Sequence, residues 1–568
     1  MTERPKTDSS AAAQMLGSTV FYNYHQRTKH TFEKLFADNR RLDWNNEPNP
    51  FRVYAGANVV SLSRSMVATD NRLFDLLLPG WNQSQGSEAI GKLASLDAAT
   101  LSTLLFHTCA ISAWKAIGST DHRWALRVNA SSGNLHPTET HVLIAGVDGI
   151  EPGAYHYRVD RHELEQRCTS TEPMRQVWQL SGGELEELPP LIICFNSIIW
   201  RECWKYLERG FRYCQHDMGH VLGSLMVASA DLGLSLDIRA LFCDALISAT
   251  LGLDGSDECP YLVIGVRGNS LSAAKNSDAP AQWIGTANSI SAAEISYDII
   301  KKVRSATCMS ESQVEAARQR VESGQHRRSL ENTRPATLVT CADDVIAQVA
   351  AGHAQRSAAD ESVQTTVRRR RSAVDMDGRR RMLLADLSLI LAGATRGVNA
   401  DFLARISDES ARNNEECGAY FVDLYVYAHR ISGLESGLYF WDRARQALVA
   451  LAHTDQREVA KQASCFQDIA ADGCLTLSMV ANLKNANEIF GERAYRLVHY
   501  EAGIIGQLLY LGATALGYDA TGIGCFVDDA INNYLVLPAG TEVIYNFCIG
   551  GAVIDSRLTT LPAYDFAQ

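Results

Sequence analysis

Apolar residues recur along this chain at two spacings, and each spacing predicts a type of secondary structure. Between residues 98 and 114 they follow the helical period, at Leu101, Leu104, Leu105 and Ile111, which predicts a helix facing the core. Short apolar runs bounded by polar residues predict buried strands at 141–146, 191–195, 261–266 and 420–428. Further helices are predicted at 204–234, 311–322 and 382–391. The pattern therefore predicts an α+β fold.

Part of this pattern occurs twice, half a chain apart. The recurring positions carry the same residue in both places at an offset of 284, half of the 568-residue length. In the first half they are Glu208, Arg209, Arg212, Gly219, Gly153, Tyr155, Phe242 and Asp244, and in the second half Glu492, Arg493, Arg496, Gly503, Gly437, Tyr439, Phe526 and Asp528. The recurrence predicts two tandem copies of one fold.

The repeat also predicts the domain boundaries. Residues 1–20 are polar and Ala-rich and predict a mobile tail, and Pro48 and Pro50 favour an extended arm over a helix, so 1–60 forms a tail and arm. The two copies are predicted at 61–267 and 366–568. Residues 268–365 are rich in Ser, Ala, Asn and Arg and are predicted to form a partly helical connector.

Composition and charge exclude several classes of function. With 46% hydrophobic and 21% charged residues and no apolar run of about 18 residues, the chain is predicted to be soluble and without a membrane span. The N-terminus has no apolar signal core, so a cytoplasmic location is predicted. A net charge of −12 argues against binding to nucleic acid. The 14 cysteines are scattered, which argues against a metal site and against disulfides.

Two segments could bind a phosphate. In the loop at 130–137, small residues allow close backbone approach, and Ser131, Ser132 and Asn134 offer polar groups to a phosphate or a heterocycle. Its structural alternative is an ordinary turn before a strand. Arg370, Arg371 and Ser372 could clamp a phosphate through charge-assisted hydrogen bonds. Their alternative is a solvated face or a targeting signal.

Two further segments could contact a flat ligand or move a proton. Gly522, Ile523 and Gly524 would let a flat ligand lie on the backbone and bind its N–H groups, although Gly-x-Gly alone is a weak signal. Lys205 and Tyr206 are adjacent near the start of a predicted helix and could serve as a general base or acid. The alternative is an exposed Lys beside a packed Tyr. His136 and His220 are interpreted as structural.

These four segments, in this order, resemble the nitroreductase-like flavoenzymes and, more closely, the tandem SagB-type branch related to the azoline dehydrogenases of thiazole and oxazole peptide biosynthesis. The N-terminal residues that share this resemblance are Tyr24, His25, Thr28, Lys29, His30, Asp43, Trp44, Pro48, Pro50 and Phe51. The resemblance implies two tandem nitroreductase-like domains, each a mixed, mainly antiparallel sheet flanked by helices, which form an intrachain pseudo-dimer.

The resemblance also implies roles for the four segments. In the family, Arg-Arg-Ser near a domain start binds the FMN phosphate and ribityl chain, which matches Arg370, Arg371 and Ser372. A Pro-Ser-Ser-x-Asn-x-x-Pro loop from the partner subunit lines the flavin, which matches Ser131, Ser132, Asn134 and Pro137, with Ala130 in place of the first proline. Gly522, Ile523 and Gly524 match the backbone along the flavin edge, and Lys205 and Tyr206 match a pair implicated in proton removal.

Each half lacks what the other half has kept. At the offset of 284, Arg371 corresponds to Ser87, and Gly522 and Gly524 correspond to Ile238 and Ala240. Conversely, the two serines correspond to Glu415 and Glu416, which would repel a phosphate, and Lys205 and Tyr206 correspond to Ile489 and Phe490. One FMN per chain is therefore expected.

The expected function is FMN-dependent dehydrogenation of a C–N bond in a peptide-like or azoline-type substrate. The expected electron acceptor is O2 or another oxidant, and the pseudo-dimer could pair into a homodimer. Two other functions stay open: an NAD(P)H-dependent reductase of nitro compounds or quinones, and a redox-inactive scaffold in a biosynthetic complex.

Overall fold

The computed structural model describes residues 16–78, 94–118, 123–253, 258–269, 280–323, 361–403 and 420–564. The helices are α1 (Val20–Arg27), α2 (Phe32–Ala37), α3 (Leu73–Leu77), α4 (Ala98–Cys109), α5 (Glu172–Leu180), α6 (Ile199–Tyr206), α7 (Gly210–Asp231), α8 (Asp244–Thr250), α9 (Asp298–Thr307), α10 (Glu311–Glu322), α11 (Val363–Arg369), α12 (Leu384–Ala394), α13 (Arg457–Ala463), α14 (Ile469–Asp472), α15 (Leu483–Phe490), α16 (Ala494–Ala515) and α17 (Asp528–Tyr534).

The strands complete a fold of helices and mainly antiparallel sheets. They are β1 (Tyr54–Ala55), β2 (Asn58–Ser61), β3 (Ile111–Ile117), β4 (Arg123–Arg127), β5 (Thr138–Ile144), β6 (Gly153–Arg158), β7 (Glu163–Cys168), β8 (Leu191–Ile198), β9 (Ser235–Arg239), β10 (Glu258–Arg267), β11 (Thr286–Ala287), β12 (Met382–Leu383), β13 (Val422–Ala428), β14 (Ile431–Ser432), β15 (Gly437–Asp442), β16 (Ala447–Ala452), β17 (Leu475–Asn482), β18 (Asp519–Ile523), β19 (Thr541–Gly550) and β20 (Leu558–Leu561).

Two large sheets have corresponding strand orders. The first is β2-β7-β6-β5-β8-β10-β9 and the second is β16-β15-β13-β17-β19-β18, and neighbouring strands in both are antiparallel. The bounds of β5, β6, β7, α6, α7, β8, β9 and α8 recur in β13, β15, β16, α15, α16, β17, β18 and α17 at the offset of 284. Strand β20 crosses back and pairs with β3.

Helices α7 and α16 cross at two glycines. A Cβ added to Gly219 would lie 2.6 Å from the Cα of Gly503, so a side chain at this point would push the helices apart. Nearly all residues of both helices are buried, and the two are the central layer between the sheets. The recurrence of this glycine in the sequence therefore has a packing reason.

Three predicted helices have different boundaries in the structure, two of them because neighbouring residues pair as strands. The predicted helix at 98–114 ends at Cys109, because Ile111–Ile117 pairs with β4 and β20 as a strand. The predicted helix at 204–234 is broken by a 3₁₀ turn at Leu207–Arg209. The predicted helix at 382–391 begins at Leu384, because Met382 and Leu383 pair with β14. Helix α10 and the strands β5, β8, β10 and β13 confirm the remaining predictions, with shifts at their ends.

The N-terminal arm is partly helical, contrary to the predicted extended arm. Thr19 caps α1 and Thr31 caps α2, each accepting a hydrogen bond from the backbone N–H three residues on, and the prolines lie only beyond these helices. None of the helices in the described segments has the length and apolar character needed to cross a membrane.

The arm docks on the second half of the chain. The backbone N–H groups of Val20 and Phe21 both donate to the carboxylate of Glu492, at 2.8 Å. The ammonium of Lys29 lies 2.8 Å from the carboxylate of Glu542, which is also bonded to Gln26. Burial alone would raise the pKa of Glu542, but contacts with His25 and Lys29 lower it to about 2.

Acid should therefore weaken this docking. The lowered pKa means that the carboxylate of Glu542 contributes stability above about pH 4.3, its unfolded value, and loses it as the pH falls towards 2. We expect the difference in unfolding free energy between the native chain and Glu542→Gln to be largest near neutral pH and to shrink between about pH 5 and about pH 3. Urea unfolding across this range measures it. A difference that stays constant with pH would contradict the assignment.

Candidate functional site

The serine loop, residues 131–136, is folded around a carboxylate that the sequence did not single out. Ser131 donates from its hydroxyl to Asp217, and Ser132 donates to the same carboxylate from its backbone N–H and its hydroxyl, at 2.9 Å each. The amide of Asn134 donates to the carbonyl of Ala125 at 2.8 Å. Since the Asp217 side chain already accepts from both serine hydroxyls, a phosphate is not favoured at this loop.

Lys205 and Tyr206 end helix α6, whereas the sequence placed them near the start of a helix. Both side chains are half-buried and approach Gly133 of the serine loop. A Cβ added to Gly133 would lie 2.7 Å from the Tyr206 hydroxyl and 3.1 Å from Lys205 Nζ. The next residue, Leu207, has φ +51°, a backbone conformation that costs free energy for a residue with a side chain. The two polar ends therefore converge on the serine loop.

Acidic groups surround this pair. Glu202, one turn earlier on α6, is fully buried, and within the described residues neither of its carboxylate oxygens has a hydrogen-bond partner. Burial raises the pKa of Glu202 well above its usual value, and the charge of Asp217 raises it further. Burial likewise raises the pKa of Tyr206, with Glu202 adding to the shift. Burial therefore disfavours the ionised form of both the Tyr206 phenol and the Glu202 carboxyl.

The arginine segment lies against the chain just before the serine loop. Arg370 is buried and donates to the carbonyls of Arg127 and Val128 at 3.0 and 2.9 Å. Arg371 donates to the carbonyls of Arg368 and Arg370 at 2.7 Å. In the segments that the structure describes, no carboxylate pairs with Arg370 or Arg371, and burial lowers the pKa of both. Two partly desolvated positive charges without a counter-charge suit a bound anion.

The glycine segment, Gly522–Gly524, lies between the arginines and Tyr206 in a chain of contacts. The hydroxyl of Tyr510 accepts from the N–H of Gly522 at 2.7 Å and from the hydroxyl of Ser372 at 3.0 Å. The carbonyl of Gly524 accepts from the Tyr213 hydroxyl at 2.8 Å. Ile523 is the last residue of β18, and its side chain is buried.

Aromatic side chains pack against both of these glycines. A Cβ on Gly522 would collide with the Tyr545 hydroxyl, and one on Gly524 would lie 2.8 Å from the ring of Tyr213. The ring of Tyr213 in turn lies 4.5 Å from that of Tyr206. Only glycine lets these aromatic side chains come so close to the backbone at positions 522 and 524.

The structure thus brings all the candidate residues into one region built from both halves of the chain. Gln507 on α16 accepts from the N–H of Ala130 at 3.1 Å and ties the serine loop to the second half. His136 is buried, and burial lowers its pKa well below the usual value, which supports the structural interpretation. Glu415 and Glu416, and Ser87, lie outside the described residues.

Sequence reasoning missed three residues that organise this region: Asp217, Tyr213 and Tyr510. One signal was available for Asp217, because an acidic residue, Glu501, stands at the offset of 284. Tyr213 and Tyr510 correspond to Leu497 and Met226, so the comparison of the two halves marks them as differences, like Lys205 and Tyr206.

Three relatives are similar to parts of this sequence. The chain is 29% identical over 132 residues to the nitroreductase-like protein MJ1384 of Methanocaldococcus jannaschii, a match that covers 22% of this chain and 67% of that protein. It is 27% identical over 129 residues to the trifolitoxin-processing protein TfxB of Rhizobium leguminosarum bv. trifolii, covering 22% of this chain and 35% of TfxB. It is 26% identical over 155 residues to the microcin B17-processing protein McbC of Escherichia coli, covering 26% of this chain and 56% of McbC.

The family match and the fold agree with these relatives. Residues 416–551 match the model of the Nitroreductase family. A nitroreductase-like protein of Anabaena variabilis has the same fold over 94% of this chain and 100% of its own, with a TM-score of 0.67 and 22% identity. These matches confirm the resemblance to nitroreductase-like proteins and to the SagB-type branch.

Proposed function

We propose that this chain, which is nitroreductase-like and of the SagB-type branch, is an FMN-dependent oxidoreductase that removes hydrogen from a C–N bond of a peptide-like, azoline-type substrate. A basic group would take a proton from the carbon beside nitrogen while hydride leaves to FMN. The relatives TfxB and McbC are named for processing trifolitoxin and microcin B17, which supports a processing role for this chain. O2 or another oxidant would be the final acceptor, and a cytoplasmic location is part of the proposal.

One observation supports this proposal: Lys205 and Tyr206 from the first half and Arg370 and Arg371 from the second half lie at the two ends of one chain of contacts. The link runs from Lys205 and Tyr206 through the ring of Tyr213 to Gly524. From Gly522 it continues through the Tyr510 hydroxyl to Ser372, beside the arginines. A scaffold without redox activity would have no need of this juxtaposition.

The donor set fits FMN. Arg371 and Arg370 lack a counter-charge in the described segments and would hold the phosphate, with the hydroxyl of Ser372 beside them. Two of the three residues in Gly522–Gly524 have no side chain, so the backbone of this segment would lie along the flat ring system of the flavin. When bound, FMN supplies the two-electron redox chemistry.

Lys205 and Tyr206 would move the substrate proton. Burial raises the pKa of Tyr206, so its hydroxyl keeps its proton in the resting site and would donate a hydrogen bond to the substrate. Lys205 Nζ converges on the same face of Gly133 and, as a free amine, would be the candidate base that takes the substrate proton. Glu202 and Asp217 are positioning residues, because they lie behind the pair and the serine loop.

We further propose that the chain is a fused dimer that has kept one of two sites. The matching strand orders and recurring element bounds support two nitroreductase-like domains at 61–267 and 366–568, with 1–60 as a docked arm and 268–365 as a connector. The first domain lacks the arginines and glycines, and the second lacks the serine loop and the Lys-Tyr pair. One FMN per chain follows from this proposal, and two such chains could form a homodimer.

The decisive experiment is to purify the full chain, release any flavin by denaturation, and assay oxidation of azoline-containing peptides. We expect one FMN per chain and oxidation of such a peptide. Two FMN per chain would overturn the single site. A colourless protein that takes up no FMN would overturn the enzymatic proposal and favour a scaffold. Rapid bleaching of the flavin by NADPH without peptide oxidation would favour a reductase of nitro compounds or quinones.

Replacing Arg371 with Ala should weaken FMN binding by about 10- to 150-fold, because a hydrogen bond to a charged group contributes about 1.5–3 kcal/mol. Fluorescence titration of flavin-free protein measures the dissociation constant. Arg369→Ala is the matched control, since Arg369 pairs with Glu361 and donates to the carbonyl of Thr514. Equal losses in both variants would contradict the phosphate assignment.

Gly133→Ala should damage activity without a matching loss of stability. Gly133 has φ +58° and Gly491 has φ +59°, so alanine costs about 1–2 kcal/mol of backbone strain at either position. Only at Gly133 would the new Cβ displace the Tyr206 hydroxyl, because nothing lies within 4 Å of a Cβ at Gly491. Urea unfolding and peptide oxidation rates compare the two variants. Equal oxidation rates would argue against a role for this contact.

A further inference from the structure

Two cysteines that are 60 residues apart in sequence meet at the edge of the site. The sulfurs of Cys465 and Cys525 are 2.7 Å apart. Cys525 directly follows Gly524, and Cys465 lies in the loop after α13. The carbonyl of Gly524, the residue before Cys525, accepts from the Tyr213 hydroxyl at 2.8 Å, so the pair lies next to the site. Both are free cysteines, and no pattern in the sequence indicates that they meet.

The environment of the pair is that of a reactive thiol. The hydrogen bond between the two sulfurs lowers the pKa of Cys525, and His30 and Arg209 lower it further, so Cys525 carries thiolate character. Both cysteines are half-buried and thus reachable by a small molecule. Cys465 and the following Phe466 have φ +56° and +60°, so two side-chain-bearing residues in succession hold a strained backbone at this point. The side chain of Phe466 is 43% exposed, which places this loop at the surface.

His30 makes a metal ion the main alternative occupant. Ligand atoms of His30, Cys465 and Cys525 all lie within 4.8 Å of one another. A zinc ion bound to both sulfurs at about 2.3 Å would hold them about 3.8 Å apart in tetrahedral geometry. The observed separation is shorter than that by about an ångström, and it needs only a small approach to reach the length of a covalent S–S bond. The geometry favours the covalent link.

We propose that Cys465 and Cys525 are a redox-active pair that exchanges two electrons with low-molecular-weight disulfides. The thiolate of Cys525 attacks one sulfur of the disulfide, forming a mixed disulfide and releasing the first thiol. The deprotonated sulfur of Cys465 then attacks Cys525, which forms the Cys465–Cys525 bond and releases the second thiol. The pair loses two electrons and two protons, and the small disulfide gains both. This site does not depend on bound flavin.

The test is to incubate the reduced full-length protein with oxidised glutathione, alkylate the free thiols and map the peptides by mass spectrometry. We expect one cross-link per chain between Cys465 and Cys525, which dithiothreitol reverses. Cys465→Ser should trap a glutathione adduct on Cys525, because the resolving thiol is gone, whereas Cys525→Ser should leave Cys465 largely unmodified. Cys243→Ser, at another half-buried thiol, should not change the cross-link.

Two results would overturn the proposal. One is that both thiols of the native protein stay reduced and alkylate as fast after glutathione treatment as before. The other is stoichiometric zinc in the purified protein that protects both thiols until a chelator removes it, which would identify a metal site with His30. The peptide mapping of the native chain tests the cysteine pair even if a serine variant fails to fold. Its result does not depend on whether the chain oxidises azolines.

Discussion

Tyr206→Phe should lower the rate of substrate oxidation by about 10²- to 10⁴-fold, the range that one positioned acid or base contributes. The substitution removes only the hydroxyl that approaches Gly133, and it keeps the ring that packs against Tyr213. FMN content should stay the same, because the arginine end of the site lies beyond Gly524. Single-turnover reduction of bound FMN by an azoline-containing peptide, without O2, measures the step. Lys205→Ala should give a loss of similar size.

The second half of the chain offers a matched control for this result. Phe490 ends α15 as Tyr206 ends α6, so Phe490→Tyr places the same hydroxyl at the corresponding position of the second half. In the double variant with Tyr206→Phe, we expect no recovery of activity. Normal turnover by both Tyr206→Phe and Lys205→Ala would show that neither is the base. Recovery in the double variant would show that the second half holds a competent site.

The sequence predicted those parts of the site that differ between the two halves. Lys205 and Tyr206 stand out because Ile489 and Phe490 occupy the corresponding positions, and the arginines stand out for the same reason. Residues that differ between the two halves at the fixed offset are candidates for a catalytic or binding role, and residues that are the same are candidates for a structural role. This comparison needs no structure. The structure places these residues together, and their catalytic and binding roles stay predictions until the experiments above are done.

What the sequence could not predict is the choice of distant partners. Asp217 lies 85 positions from Ser132, and no local pattern shows that they bond. Cys465 and Cys525 likewise follow no motif spacing, because a loop and a strand end bring them together. The predicted end of the helix at 98–114 was wrong for a related reason: the strand Ile111–Ile117 is stabilised by pairing with β20 from the other end of the chain, which outweighs the local helical period.

The arginines and aspartates that recur in both halves also have a structural role, because they form buried ion pairs between the halves. Arg209 and Arg212 of the first half bind Asp528 of the second, with the closest contact 2.7 Å. Arg493 and Arg496 of the second half bind Asp244 of the first, also at 2.7 Å for the closest contact. Both networks are buried, and in each of them one aspartate pairs with two guanidiniums across the contact between the halves.

Asp244→Asn should therefore destabilise the chain by about 3–5 kcal/mol, the cost of leaving a buried charge without its partner. The amide keeps the size of the side chain and one acceptor, but it leaves Arg493 and Arg496 with no negative charge. Burial opposes ionisation of Asp244, yet the two arginines outweigh it and lower its pKa, so the native carboxylate is charged at neutral pH. Guanidinium unfolding followed by circular dichroism measures the loss.

The control is Asp455→Asn, which removes the carboxylate of an exposed pair with Arg457 and should cost no more than about 1 kcal/mol. Asp244 lies in the first half and its two arginines lie in the second, so the two halves of Asp244→Asn should separate before either of them unfolds. FMN should be released in the same step, because the proposed site needs residues from both halves. A loss of less than 1 kcal/mol, or FMN retention after the halves separate, would show that the exchanged ion pairs do not hold the site together.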